Sequence, residues 1–175
     1  MVSFPNAKRG LAARHGMVAW AGVTALVLAL VAGSLAAQEP LDLDRLVLRG
    51  DVWVNPETSQ PYSGPVVDTW VNGNLRERGT LVEGRWDGIH EWFHFNGLLA
   101  TKETYVDGKL HGPSETYFKN GNLSLREMYV DGKLHGAYEA YWARGRVAER
   151  GHWNTGERCG EWESFGRTVV YPGCS

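Results

Sequence analysis

The strongest constraint on this chain is a repeat of period 24. Residues 88–111 read GIHEWFHFNGLLATKETYVDGKLH and residues 112–135 read GPSETYFKNGNLSLREMYVDGKLH; the two blocks agree at 13 positions without a gap. Self-similarity at a fixed period of roughly 20–50 residues marks a repeat architecture, in which each unit buries its apolar surface against its neighbours. Gly64, Gly88, Gly112, Gly136 and Gly160 each open a block. Residues 64–159 therefore hold four complete units, and residues 160–175 form a partial repeat and C-terminal cap.

Each unit carries two turn signals. Asn72-Gly73, Asn96-Gly97 and Asn120-Gly121, with Arg144-Gly145 as the fourth, read as two-residue hairpin loops in which both central residues take positive φ. Glu83-Gly84, Asp107-Gly108, Asp131-Gly132 and Thr155-Gly156 supply the second turn. The runs between turns, such as Glu91–Phe95 and Glu115–Phe118, are aromatic and β-branched and too short for helices. The predicted fold is all-β: an elongated antiparallel meander of 24-residue hairpins, with about eight to ten strands. Residues 38–63, dense in turn formers at Asn55-Pro56 and Gln60-Pro61, form a linker and a degenerate hairpin that caps the array. Leu41–Leu48 is compatible with a strand or a brief helix.

A two-residue loop at Asn96-Gly97 sets Phe95 opposite Leu98, His94 opposite Leu99 and Glu91 opposite Lys102. The same register sets Glu115 opposite Arg126 and Glu139 opposite Arg150, so acid meets base across the strands in three units. It also sorts the faces. Trp70, Leu75, Leu81, Trp92, Leu99, Tyr105, Phe118, Leu123, Tyr129, Trp142, Val147 and Trp153 share one, expected to be the core. The Glu and Arg/Lys rows share the other with Phe93, Tyr117 and Tyr141. Those three aromatics are either half-covered by arginine stems or open to a partner.

The N-terminus is different in kind. Lys8, Arg9 and Arg14 precede an apolar run from Met17 to Gly33, followed by Ser34-Leu35-Ala36-Ala37. Residues 1–37 read as a secretory signal peptide or as an N-terminal membrane anchor, since the run approaches the ~20 residues needed to span a bilayer. Both readings put the repeats outside the cytoplasm, periplasmic or secreted. Beyond residue 37 the chain has 15 basic and 20 acidic residues, a balance of −5. That balance argues against attraction of nucleic acid or anionic lipid by bulk charge. Cys159 and Cys174 are the two cysteines; in an exported chain an even count suggests a disulfide, the alternative being two free thiols.

The sequence has no Gly-rich phosphate loop, nucleophile elbow or zincin helix. His111, His135 and Cys159 share one repeat phase, but equivalent positions lie two strands apart, about 9–10 Å, whereas zinc holds its ligands at about 2.0–2.3 Å. His90 and His94 are expected as surface or aromatic-face residues. The expectation is a non-enzymatic protein with no cofactor and no metal site.

The string Tyr105-Val106-Asp107-Gly108-Lys109-Leu110-His111-Gly112, repeated at residues 129–136, resembles the MORN repeat, as does Tyr117-Phe118-Lys119-Asn120-Gly121-Asn122-Leu123. It is most similar to the bacterial MORN-variant repeat, often labelled as the antitoxin side of a toxin–antitoxin pair. The resemblance covers roughly Leu46 to Phe165. It implies an elongated sheet scaffold for protein–protein contacts and, in some members, lipid contact. The last unit departs from the pattern, with Arg144-Gly145 for Asn-Gly and Cys159 in the phase of His111 and His135. The expected contact residues are Glu91, Phe93, Glu115, Tyr117, Glu139 and Tyr141, presented to a protein partner. The alternatives are an envelope glycan or lipid binder, with membrane contact also through the N-terminal segment, and an immunity or antitoxin-like partner of a toxin.

Overall fold

The computed structural model describes residues 38–174. The signal-peptide or anchor segment, residues 1–37, lies outside the described residues. In chain order the elements are β1 (Leu41–Asp42), a 3-10 turn (Leu43–Arg45), β2 (Val47–Arg49), β3 (Val52–Val54), β4 (Gly64–Thr69), β5 (Leu75–Val82), β6 (Arg85–Trp86), β7 (Gly88–Phe93), β8 (Leu99–Val106), β9 (Lys109–Tyr117), β10 (Leu123–Val130), β11 (Lys133–Tyr141), β12 (Val147–Asn154), β13 (Glu157–Ser164) and β14 (Arg167–Val170). One 12-stranded sheet runs β1-β4-β5-β7-β8-β9-β10-β11-β12-β13-β14, with β6 paired to β5; β2 and β3 form a separate hairpin. Apart from the parallel β1–β4 contact, the sheet is antiparallel between sequence neighbours and is not closed into a barrel. The predicted meander of consecutive hairpins is what the chain forms. The Leu41–Leu48 segment that sequence left undecided is a two-residue strand, a 3-10 turn and the first part of β2.

The Asn-Gly turns are not the two-residue loops expected. Gly97 N–H donates to the His94 carbonyl and His94 N–H to the Leu98 carbonyl, each at 2.8 Å. This is a three-residue loop in which Gly97, at φ 83°, takes the left-handed conformation and Asn96 does not. The two-residue loops with both residues at positive φ are the acidic ones, such as Asp107 (φ 47°) and Gly108 (φ 74°) between the paired Val106 and Lys109.

The longer loop is followed by a bulge. Phe93 pairs with Leu99 while Trp92 pairs with Thr101, leaving Ala100 as the extra residue. The shift compensates the loop, so Glu91 lies opposite Lys102, Glu115 opposite Arg126 and Glu139 opposite Arg150, as expected. It also moves a row across the sheet. Leu75, Leu99, Leu123 and Val147 pair with Thr69, Phe93, Tyr117 and Tyr141, so they belong to the charged face and not to the expected core face.

Successive hairpins are stitched at both rims. On one rim the asparagine amides donate to carbonyls of the next unit: Asn72 to Phe95 at 3.0 Å, Asn96 to Lys119 at 3.0 Å and Asn120 to Ala143 at 3.2 Å. On the other rim the turn glycine N–H reaches back, as in Gly108 to Trp86 and Gly132 to Leu110, at 2.9 and 2.8 Å. The Asn of Asn-Gly is therefore a tie between units. Its replacement by Arg144 falls in the last unit, where the chain instead turns tightly at Phe165 and Gly166, both at positive φ.

Among the described residues the buried hydrophobic side chains lie at the two ends. Leu43, Leu46, Val66 and Leu81 form the N-terminal core, with Leu41, Trp53, Tyr62 and Trp86 against it. At the other end Trp162 is 1% exposed and lies across Gly151, whose missing Cβ makes the approach possible. Tyr138, Trp153 and Tyr171 ring it, and the Cys159–Cys174 disulfide, Cα–Cα 5.0 Å, fastens the tail. From β8 to β12 the one buried residue among those described is Ser114. The centre of the sheet is thus a single layer with both faces open.

Candidate interaction site

The alternation of side chains along β7, β9 and β11 puts Glu91 with Phe93, Glu115 with Tyr117, and Glu139 with Tyr141, all on one face. The bases come from the intervening strands. Because the strand pairs across unit boundaries are also in register, the row is continuous: Arg78, Glu91, Lys102, Glu115, Arg126, Glu139, Arg150, Glu163. Sequence reasoning found the pairs within units but missed those between them.

The between-unit contacts are as close as any. Arg78 Nε donates to Glu91 at 2.6 Å and Arg150 to Glu163 at 2.8 Å, across unit boundaries. Arg126 bridges both neighbours, at 3.1 Å to Glu115 and 3.6 Å to Glu139. The Arg side chains are about half exposed, so each pair contributes about 0–1 kcal/mol and chiefly fixes register.

The aromatics are tied to the same row. Tyr117 Oη donates to Glu115 at 2.7 Å and Tyr141 Oη to Glu139 at 2.8 Å. Phe93 has no hydroxyl; the Arg78 guanidinium lies over its ring at 5.5 Å instead. The Tyr117 phenol is pushed up to about 12, by burial first and then by the Glu115 carboxylate it bonds. The hydrogen bond from Tyr117, with Arg126 and Lys102 alongside, holds the Glu115 carboxyl below the usual range. Arg126 is held more firmly protonated by its bond to Glu115. All six expected residues are half-buried, not free-standing. Leu99, Leu123 and Val147 interleave with Phe93, Tyr117 and Tyr141, so a mixed aromatic and aliphatic row runs beside the charged one. The bulge that brings them there has no signature in the sequence.

Of the two histidines expected on the surface or on the aromatic face, His90 takes the aromatic one, beside Trp86, Trp92 and Tyr105. It is buried, not on the surface, and is hydrogen-bonded to the equally buried Glu77 at 2.9 Å and stacked on Trp86 at 3.9 Å. His94 Nε2 lies 3.0 Å from the Tyr117 carbonyl and takes the place in its unit that Trp70 occupies in the one before. Cys159 is in a disulfide and His111 contacts Asp131 at 3.4 Å. The carboxylates of Asp42, Asp44 and Asp68 lie within 4.8 Å of one another, but Arg76 pairs with Asp68 and the Asp44 N–H donates to Asp42. Among the described residues no helix is long and apolar enough to cross a membrane.

No family model matches the chain, and no curated protein matches it.

Proposed function

We propose that this protein is an exported, non-enzymatic MORN-like repeat scaffold that engages a protein partner through its charged and aromatic face. The observation that carries the reading is the pairing of two continuous rows on one open face: alternating charges from Arg78 to Glu163, and apolar side chains from Phe93 to Val147. A charge row specifies register with a partner, and half-buried aromatics supply the contact area. The disulfide is consistent with an oxidising compartment. The strings at residues 105–112 and 117–123 support the MORN-like assignment.

The test is capture of envelope proteins on the immobilised protein under oxidising conditions. Glu91→Lys with Glu115→Lys and Glu139→Lys should abolish capture of any stoichiometric partner. Because that variant sets like charges side by side, Phe93→Ala with Tyr117→Ala serves as a second one that keeps the ladder. Unchanged capture by both, with circular dichroism intact, overturns the site. The recurrence of Phe93, Tyr117 and Tyr141 at one phase also favours a second reading, stacking on an envelope glycan, which pelleting with purified cell wall decides.

A further inference from the structure

The two edges of the sheet are treated unequally. At the N-terminal edge β1 covers Val66 and Val67 of β4, Pro65 has no N–H to offer, and Asp68 is a buried charge paired with Arg76. These are devices that keep an edge strand from pairing with another chain. The C-terminal edge has none of them from Thr168 to Val170. There β14 is the last strand of the sheet, and among the described residues nothing pairs with its far side. Its sequence, Arg167-Thr168-Val169-Val170, is mostly β-branched, and every residue of it is exposed.

The backbone phase of that edge is fixed. Ser164 and Arg167 flank the two-residue turn at Phe165 and Gly166, and the Tyr171 N–H donates to the Gly160 carbonyl at 2.9 Å. Arg167, Val169 and Tyr171 therefore turn their backbone groups to β13. Thr168 and Val170 each aim an N–H and a C=O away from the sheet. Pro172, the next residue in the outward phase, has no N–H. Gly166, the one before, lies in the turn at φ 79°.

We propose that β14 pairs antiparallel with β14 of a second copy of this chain, about a two-fold axis at Val169. In that register Thr168 of one copy exchanges both backbone hydrogen bonds with Val170 of the other, and the axis repeats the exchange, so every outward group of the strand is bonded. Centring the pair on Val170 would set Thr168 against Pro172, which cannot donate; centring it on Thr168 would set Val170 against the turn glycine. The side chains agree with the backbone. Val169 meets its own copy at a closely spaced, non-hydrogen-bonded position. Arg167, which makes no ion pair among the described residues, comes opposite the Tyr171 ring of the other copy, a cation–π pairing made on both sides of the axis. Because one edge is open and the other is covered, the assembly closes at two copies and does not grow into a fibre. A two-fold axis normal to the sheet leaves the charged faces of both copies on one side. The seam is four residues long, so the dimer is weak and concentration-dependent. It uses no residue of the ladder, so it stands or falls apart from the partner-binding reading above.

Oxidative cross-linking of the purified full chain, with oxidised glutathione as oxidant, tests it. Val169→Cys brings two thiols together across the axis, at about the 4.5 Å Cα spacing that a disulfide accepts, and should give a covalent dimer on a non-reducing gel. Thr168→Cys and Val170→Cys each place the two copies of their thiol on a diagonal of about 7–8 Å; neither should cross-link alone, and the two mixed should. Val170→Pro removes an outward N–H that β13 does not use, and added to Val169→Cys it should abolish the cross-link. Val169→Lys sets two ammonium groups face to face. Sedimentation velocity should find that variant monomeric at concentrations where the wild type is dimeric, with circular dichroism unchanged. A wild type that stays monomeric, cross-linking that does not depend on which position carries the thiol, or a Val170→Pro chain that still cross-links overturns the proposal.

Discussion

Glu115 and Glu127 lie on neighbouring strands, and each accepts a hydrogen bond from a tyrosine two residues further on. Yet the carboxyl of Glu115 is held below its ordinary range and that of Glu127 above it. On the ladder face Glu115 has Arg126 and Lys102 beside it as well as Tyr117. On the opposite face Glu127 is desolvated and has Glu103 for its charged neighbour, with only the Tyr129 bond in its favour. The same local pair of residues is electrostatically satisfied on one side of a single-layer sheet and left wanting on the other. The two faces therefore differ less in composition than in which charges the register brings together.

The comparison can be broken most severely at the capped end. Trp162→Ala removes the largest fully buried side chain and opens a cavity over Gly151; it should cost about 3–5 kcal/mol in a denaturant titration. Tyr117→Ala, half-exposed on the ladder face, should cost clearly less. Equal losses would mean that stability is not concentrated where burial is.

Smaller effects come from the rims. Asn96→Ala and Asn120→Ala each remove a side-chain amide's hydrogen bond to the next unit, and each should cost about 1 kcal/mol in the same titration. Arg144→Asn should gain nothing, because the chain turns at Phe165 and Gly166 with no matching loop beyond it.

The smallest effect sharpens the contrast itself. A carboxyl whose folded pKa is depressed stabilises above its unfolded value and loses that contribution as pH falls through the folded value. Glu115→Gln should therefore lower the thermal midpoint at pH 7.5 and converge with wild type in acid. A carboxyl whose folded pKa is raised does the opposite: its ionised form destabilises, and protonation removes the cost. Glu127→Gln should raise the midpoint at pH 7.5 and converge with wild type as pH falls through the raised value. Shifts of one sign in both variants would dissolve the distinction between the faces.

The period, the strands and the within-unit pairs such as Glu91 with Lys102 were legible because each is written in local residue types. The faces were only partly legible. A bulge at Ala100, Ser124 or Ala148 needs no particular residue, yet one extra residue carries Leu99, Leu123 and Val147 to the other side. The asparagines were noticed and misassigned: an amide that ties two loops looks, in one dimension, like a residue chosen for its backbone. The burial of His90 was invisible because it depends on Glu77 and Trp86, which belong to other strands. For the ladder face the acids and aromatics could be named in advance, and their aliphatic neighbours could not.

The alternation of sign along the ladder also governs how such a chain can change its length. Each repeat spans two strands, and each of the second to fourth contributes one acid and one base to the row. Duplicating or excising a whole repeat leaves every charge facing its opposite, and each amide tie still finds a carbonyl in the following loop. Losing a single strand would set glutamate against glutamate and turn the next hairpin toward the wrong rim. Descendants of this sequence should thus differ by whole repeats, and their reach across a partner should grow in steps of about 9–10 Å.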